Sequence, residues 1–259
     1  MGNIILIIAG IQSIIIILLI VKLIKSLKTI KRIKRLINVN LNVNSEEINN
    51  NLPDTKNMLI LGNSISIHGI CDYWWGEWGM ASSTKEKDYV HLLAGKMAQH
   101  FNINFDTINF ASWEYNSHDR TEVLLTINSV FNSKKYDYVI IQLGENVTNA
   151  TTLEKDLNEM IKFIKSHNSS VKIAVVGNFW SKTQVDKAKI KACGKSMIPY
   201  IDLTLIQNED YYAKIGTIVF GQDGKKHKIE HEGVARHPND LAMEYIANNL
   251  FNTLDLHNS

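Results

Sequence analysis

The chain has 259 residues, 45% of them apolar and 21% charged, with a formal net charge of +2. These ordinary globular values exclude wholesale disorder and a multi-span membrane protein, and the length suits one main domain plus an appendage. Only two cysteines occur, Cys71 and Cys193, far apart and in no ligand spacing, which argues against a disulfide framework and a zinc site.

Residues 4–21 form an almost unbroken apolar run, interrupted only by Gly10, Gln12 and Ser13. About 18–20 such residues suffice to cross a bilayer core, so an N-terminal transmembrane helix is expected. It is expected to stay attached, because no basic residues precede the run and no small-residue cleavage site follows it. Ile24, Leu27, Ile30, Ile33 and Leu36 then recur at helical spacing, while Lys22, Lys25, Lys28, Lys31, Arg32, Lys34 and Arg35 fill the other face. Such a basic amphipathic helix suits anionic headgroups, a solvated juxtamembrane position or a self-association seam. No acidic residue precedes Glu46, so 21 basic residues face 26 acidic ones in the remainder. That mildly acidic body argues against a nucleic-acid partner. Residues 1–37 therefore read as anchor and basic helix, the Asn-rich stretch 38–56 as a linker, and 57–259 as the globular domain. The basic run adjoining the span places that domain on the cytoplasmic side by the positive-inside rule.

From residue 57 onward, short β-rich runs alternate with amphipathic helical ones. Strands are predicted at 58–61, 105–110, 138–143, 172–176 and 200–203, and helices at 89–100, 120–131, 153–167, 183–196 and 241–250. This alternation predicts an α/β fold, a three-layer α/β/α sandwich around a five-stranded parallel sheet. Between 217 and 229 two extended runs flank Gln222-Asp223-Gly224-Lys225, a turn signal that predicts a β-hairpin.

Three segments carry chemistry. The first strand ends Leu59-Ile60-Leu61-Gly62-Asn63-Ser64, placing a serine just past the carboxyl end of a buried parallel strand, where open α/β sheets put their ligand sites. The third ends Ile141-Gln142-Leu143-Gly144-Glu145-Asn146, which sets an amide beside that serine as a candidate donor to an oxyanion. Near the C-terminus, Arg236-His237-Pro238-Asn239 mounts an imidazole ahead of the last helix, and a histidine near its ordinary pKa of about 6.5 suits proton transfer to and from a serine.

Together these segments resemble the SGNH (GDSL-type) hydrolase family, whose blocks run Gly-Asp-Ser, a glycine, Gly-x-Asn-Asp and Asp-x-x-His-Pro. The resemblance covers roughly residues 58–250 and implies a flavodoxin-like layering, Ser64 as nucleophile, His237 as base, and the Ser64 N–H and Asn146 as oxyanion donors. It implies no cofactor and no metal. The departures are specific. Asn63 replaces the aspartate of the first block. Where the second block has its glycine the chain reads Ala111-Ser112-Trp113-Glu114, leaving a backbone N–H there, with Glu114 as the candidate. Val234 replaces the usual acid three residues before His237, so either a backbone carbonyl orients the imidazole or Glu230 or Glu232 reaches it.

The loop 72–83 holds Trp74, Trp75 and Trp78, three of the five tryptophans. Flat indoles pack on sugar rings, so these three are candidate substrate contacts, although they equally suit a small core of the loop itself. The loop is similar to the Trp-Gly-Met-Ala loop of some bacterial members of the family. The expected activity is removal of O-acyl, chiefly O-acetyl, groups from a cell-envelope glycan or another small ester. Two alternatives stay open: a lysophospholipase or thioesterase, and a silent glycan-binding module. Envelope-glycan esterases more often face outward, against the charge bias.

Overall fold

A computed structural model describes residues 55–254. The expected transmembrane anchor, the basic helix and all but the last two linker residues lie outside them. No helix among the described residues is long and apolar enough to cross a membrane.

In chain order the elements are β1 (Lys56–Gly62), α1 (Tyr89–Met97), β2 (Ile103–Asn109), α2 (Ala111–Tyr115), α3 (Arg120–Leu125) and α4 (Asn128–Ser133). There follow β3 (Tyr138–Gln142), α5 (Leu153–His167), β4 (Lys172–Val176), α6 (Thr183–Ser196), β5 (Tyr200–Ile201), β6 (Ile218–Phe220), β7 (Lys226–Lys228), α7 (Glu232–Ala235) and α8 (Asp240–Thr253). The five main strands pair in parallel in the order β2-β1-β3-β4-β5. Side chains alternate across a strand, and here both faces are apolar. Met58, Ile60, Tyr138, Ile140, Ala174 and Val176 enter one core with α1 and α8, while Leu59, Leu61, Val139, Ile141, Ile173 and Val175 enter the other with α5 and α6. Burial on both sides is what a parallel sheet with crossover helices requires.

The helix expected over 120–131 is broken into α3 and α4. Thr126 caps α3, and its hydroxyl donates to the Val123 carbonyl (2.6 Å), a local bond that competes with helix propagation. The hairpin is present as the antiparallel β6–β7 pair, its turn closed by the Gly221 N–H on the Lys225 carbonyl. The central strands β1 and β3 lie side by side with Gly62 opposite Gln142, so the segments leaving both strands emerge together at the carboxyl edge of the sheet.

Candidate active site

Ser64 lies in the turn that leaves β1. A Cβ on Gly62 would sit 2.0 Å from Ser66 Oγ, so the sharp reversal accepts only glycine. Asn63 secures the turn: its Oδ1 accepts from the Ile65 N–H (3.1 Å) and its carbonyl from those of Ser66 and Ile67 (2.9 and 3.0 Å). The Ser64 carbonyl accepts from Met80 of the long loop (2.9 Å). Among the described residues the Ser64 N–H has no hydrogen-bond acceptor.

Across the cavity, His237 Nε2 lies 2.8 Å from Ser64 Oγ, and His237 Nδ1 lies 2.7 Å from the carbonyl oxygen of Gly233. A carbonyl only accepts, so Nδ1 carries the proton and Nε2 offers its lone pair to the serine hydroxyl. The Gly233 carbonyl therefore stands where a carboxylate was sought. Glu230 and Glu232 do not reach the ring; both are exposed. The reason is helical geometry: α7 starts at Glu232, and the four-residue spacing of a helical turn brings carbonyl 233, not a carboxylate, opposite residue 237.

The histidine segment is strapped in place. Ala213 donates to the His237 carbonyl (3.0 Å), Lys214 to that of Ala235 (2.8 Å), and Asn239 to that of Tyr211 (2.9 Å). Trp180 meets the imidazole edge-on, its centroid 5.0 Å away. Pro238 does not open the last helix; it bridges to Tyr212, and α8 begins at Asp240 under an Asn239 cap. Burial pushes His237 down to about 4, opposed by the Gly233 hydrogen bond and reinforced by His68 and His231.

Asn146 follows β3 and lines the same cavity. The approach to it runs through Gly144 at φ +141°, where a Cβ would fall 2.2 Å from Asn178 Oδ1. Asn146 Nδ2 donates one proton to Glu114 Oε2 (2.7 Å). Its second amide proton is thus available to a ligand.

Glu114 is not placed to act as an oxyanion donor. As the fourth residue of α2 its N–H is committed to the first intrahelical bond, and its side chain is fully buried away from the cavity. The carboxylate instead collects donors: Asn63 Nδ2 (3.1 Å), Gly144 N (2.5 Å) and Asn146 N (3.2 Å) on Oε1, besides Asn146 Nδ2 on Oε2. A second buried carboxylate, Glu145, accepts from Asn63 Nδ2 (2.8 Å), Gln142 Nε2 (3.0 Å) and the Phe179 N–H (3.0 Å). Asn63 thus bridges two carboxylates with its amide, which explains the first-block departure, since an aspartate there would present a third acceptor. Burial, then the Glu145 charge, raises the Glu114 pKa, while its N–H donors pull the other way.

The cavity holding Ser64, His237 and Asn146 has a volume of about 240 Å³. His68, Tyr73, Asn109, Tyr115 and His231 add polar groups to its wall, Met80, Ala111 and Val234 add apolar ones, and among the described residues no carboxylate lines it. Sequence reasoning singled out none of the five polar ones. The three tryptophans do not line it. Trp74 and Trp78 are buried in a separate small core with Met80, Val219, Ile229 and Val234, and Trp75 stacks on His227 at 4.4 Å. Tyr73 is the aromatic of this loop that reaches the cavity, stacked on His231 at 4.3 Å. A larger open groove of about 940 Å³, beside residues 147–154 and the start of α6, contains none of the three predicted residues.

The five-stranded parallel sheet between helices, with a serine after the first strand, an amide after the third and a histidine before the last helix, is similar to the fold of the SGNH (GDSL-type) hydrolases. Solved structures of several esterases share this fold. A two-domain esterase active on acetylated mannans matches with a TM-score of 0.53 at 14% identity, over 80% of this chain and 50% of its own. The family 3 carbohydrate esterase of Clostridium thermocellum gives 0.51 at 15% identity, over 78% and 98%. A psychrotrophic esterase of Pseudoalteromonas sp. gives 0.50 at 13% identity, over 77% and 97%. By sequence the chain matches no family profile and no curated protein.

Proposed function

We propose that the protein is a serine esterase that removes O-acyl groups, O-acetyl above all, from a carbohydrate such as a cell-envelope glycan. The observation that carries this reading is the 2.8 Å contact between Ser64 Oγ and a His237 Nε2 whose opposite nitrogen is held protonated by Gly233. Ser64 Oγ attacks the ester carbonyl as its proton passes to His237 Nε2, and the resulting oxyanion takes the Ser64 N–H and the free Asn146 amide proton. Collapse breaks the acyl C–O bond, and His237 returns its proton to the departing sugar oxygen. Water, deprotonated by the same nitrogen, then attacks the acyl-enzyme, releasing the carboxylic acid and restoring the Ser64 hydroxyl.

His68, Asn109 and His231 offer polar groups to the hydroxyls of a sugar, and Tyr73 and Tyr115 at the mouth offer ring faces. The solved neighbours add support, since one acts on acetylated mannans and another is a carbohydrate esterase. The full-length protein is expected to hydrolyse p-nitrophenyl acetate, faster than the octanoyl ester, and Ser64→Ala to lower kcat by about 10³-fold or more. Equal rates for both proteins reject the esterase reading, and a steady rise from acetyl to octanoyl replaces it with lysophospholipid or thioester hydrolysis.

A further inference from the structure

We infer that Glu114 is a positioning residue that fixes the Asn146 amide toward the cavity; the inference rests on the esterase reading and deepens it.

Both Asn146 nitrogens address this one carboxylate, the backbone N–H on Oε1 and Nδ2 on Oε2. A primary amide is nearly symmetric in shape, so packing alone does not decide which end faces which way; the polarity of its partner does. Against a carboxylate, which only accepts, Nδ2 must face Glu114. Its remaining N–H is then held in one orientation before any ligand arrives, and a preset donor needs no reorganisation when charge develops.

The hydrogen bonds around Glu114 favour its acceptor state, against its burial and the Glu145 charge. Its four partners are all N–H donors, supplied by three residues in two segments: Asn63 in the turn after β1, and Gly144 and Asn146 in the segment after β3. Asn63 holds the neighbouring Glu145 by the same amide nitrogen, keeping the two carboxylates bridged by a donor. Lys189 is fully buried with Nζ on Asn178 Oδ1 at 2.7 Å; burial lowers its pKa, and the charges of Glu145, Asp186 and Glu114 oppose that shift. Two buried carboxylates are costly to maintain unless their hydrogen bonds are complete. Glu114 touches no part of the cavity, so its influence on a reacting ester passes through the residues it holds, and of these Asn146 alone lines the cavity.

Glu114→Gln tests this, because it keeps the side-chain shape and turns one acceptor into a donor. The Asn146 amide then rotates to offer Oδ1 to the new Nε2, withdrawing its proton from the cavity. With p-nitrophenyl acetate we expect Glu114→Gln to lower kcat about 10- to 100-fold with KM within about two-fold, and Asn146→Ala to lower it about 100-fold. In a double-mutant cycle, Glu114→Gln added to Asn146→Ala should cost less than a further two-fold. Additive losses, or an unaffected kcat in the single variant, overturn the inference.

Nitrogen-15 NMR of the wild-type protein reads the same geometry without turnover. One Asn146 Nδ2 proton should lie well downfield of its partner, as a charge-assisted hydrogen bond requires, and two ordinary side-chain amide signals overturn the inference even if Glu114→Gln fails to fold. Absence of wild-type ester hydrolysis, with the downfield proton present, defeats the esterase reading and leaves the positioning intact.

Discussion

His237 is almost completely buried, and the Gly233 carbonyl behind it, which carries no full counter-charge, offsets that burial only in part. Its protonated form is therefore disfavoured, and its pKa falls to about 4. The neutral, base-competent form consequently prevails above that value. For the proposed esterase, the acid limb of kcat/KM is expected near pH 4, with activity at pH 5.5 close to that at pH 7. A limb near 6.5, read from a pH–rate profile with p-nitrophenyl acetate, contradicts the deep burial of the imidazole. The same shift lets the unfolded chain bind this proton first, so its contribution to stability is full above about 6.5 and is lost as pH falls toward 4. At this scale, the positions of Ser64, Asn146 and His237 were legible because each adjoins a buried strand end or a capped helix. The Gly233 carbonyl was left as one of several options, since a backbone oxygen has no residue signature. The burial of Glu114 was hidden for another reason: its Asn63 and Asn146 partners come from other strand ends, distant in the sequence.

Among the elements, the loop between β1 and α1 departs furthest from expectation. Its tryptophans suit either a sugar platform or a small core of the loop, and Trp74 and Trp78 take the second course, packing with Val219 and Ile229 of the hairpin segment. Local sequence does not distinguish the two uses, because a large apolar ring serves either and the deciding partner lies some 140 residues away in the chain. The loop is tied down on both sides: Gly79 donates to Asp88 Oδ2 (3.0 Å) at the start of α1, and Ser83 donates its N–H to Asp240 Oδ1 (2.8 Å) at the start of α8. Trp74→Ala is therefore expected to lower the unfolding free energy by about 3–5 kcal/mol, measured by denaturant titration, with KM for a glycan ester nearly unchanged. Unchanged stability with a raised KM restores the platform reading. The strands were largely legible from their doubly apolar runs and the hairpin from its Asp-Gly turn. The short helices α2 and α7 were not, because a single turn has no hydrophobic period.

For the molecule as a whole, the α/β layering followed from alternating strand and helix patterns, and the crossover rule allows few sheet orders once those are placed. Residues 4–21 and the basic run after them remain the ground for a further proposal: the chain is held at a membrane by its N-terminus, with the domain on the side that the seven lysines and arginines occupy. A reporter active only after export, fused behind Ser259, should stay silent while the fusion sediments with membranes and resists carbonate extraction. An active reporter moves the domain to the outer side, and release by carbonate removes the anchor.

The esterase reading requires a covalent acyl-enzyme, so the most direct measurement is mass spectrometry of the full-length protein quenched during turnover of p-nitrophenyl acetate. The account predicts one added acetyl group, mapped by peptide fragmentation to Ser64 and absent from Ser64→Ala. Turnover without that adduct, or with the acetyl group on another residue, contradicts it.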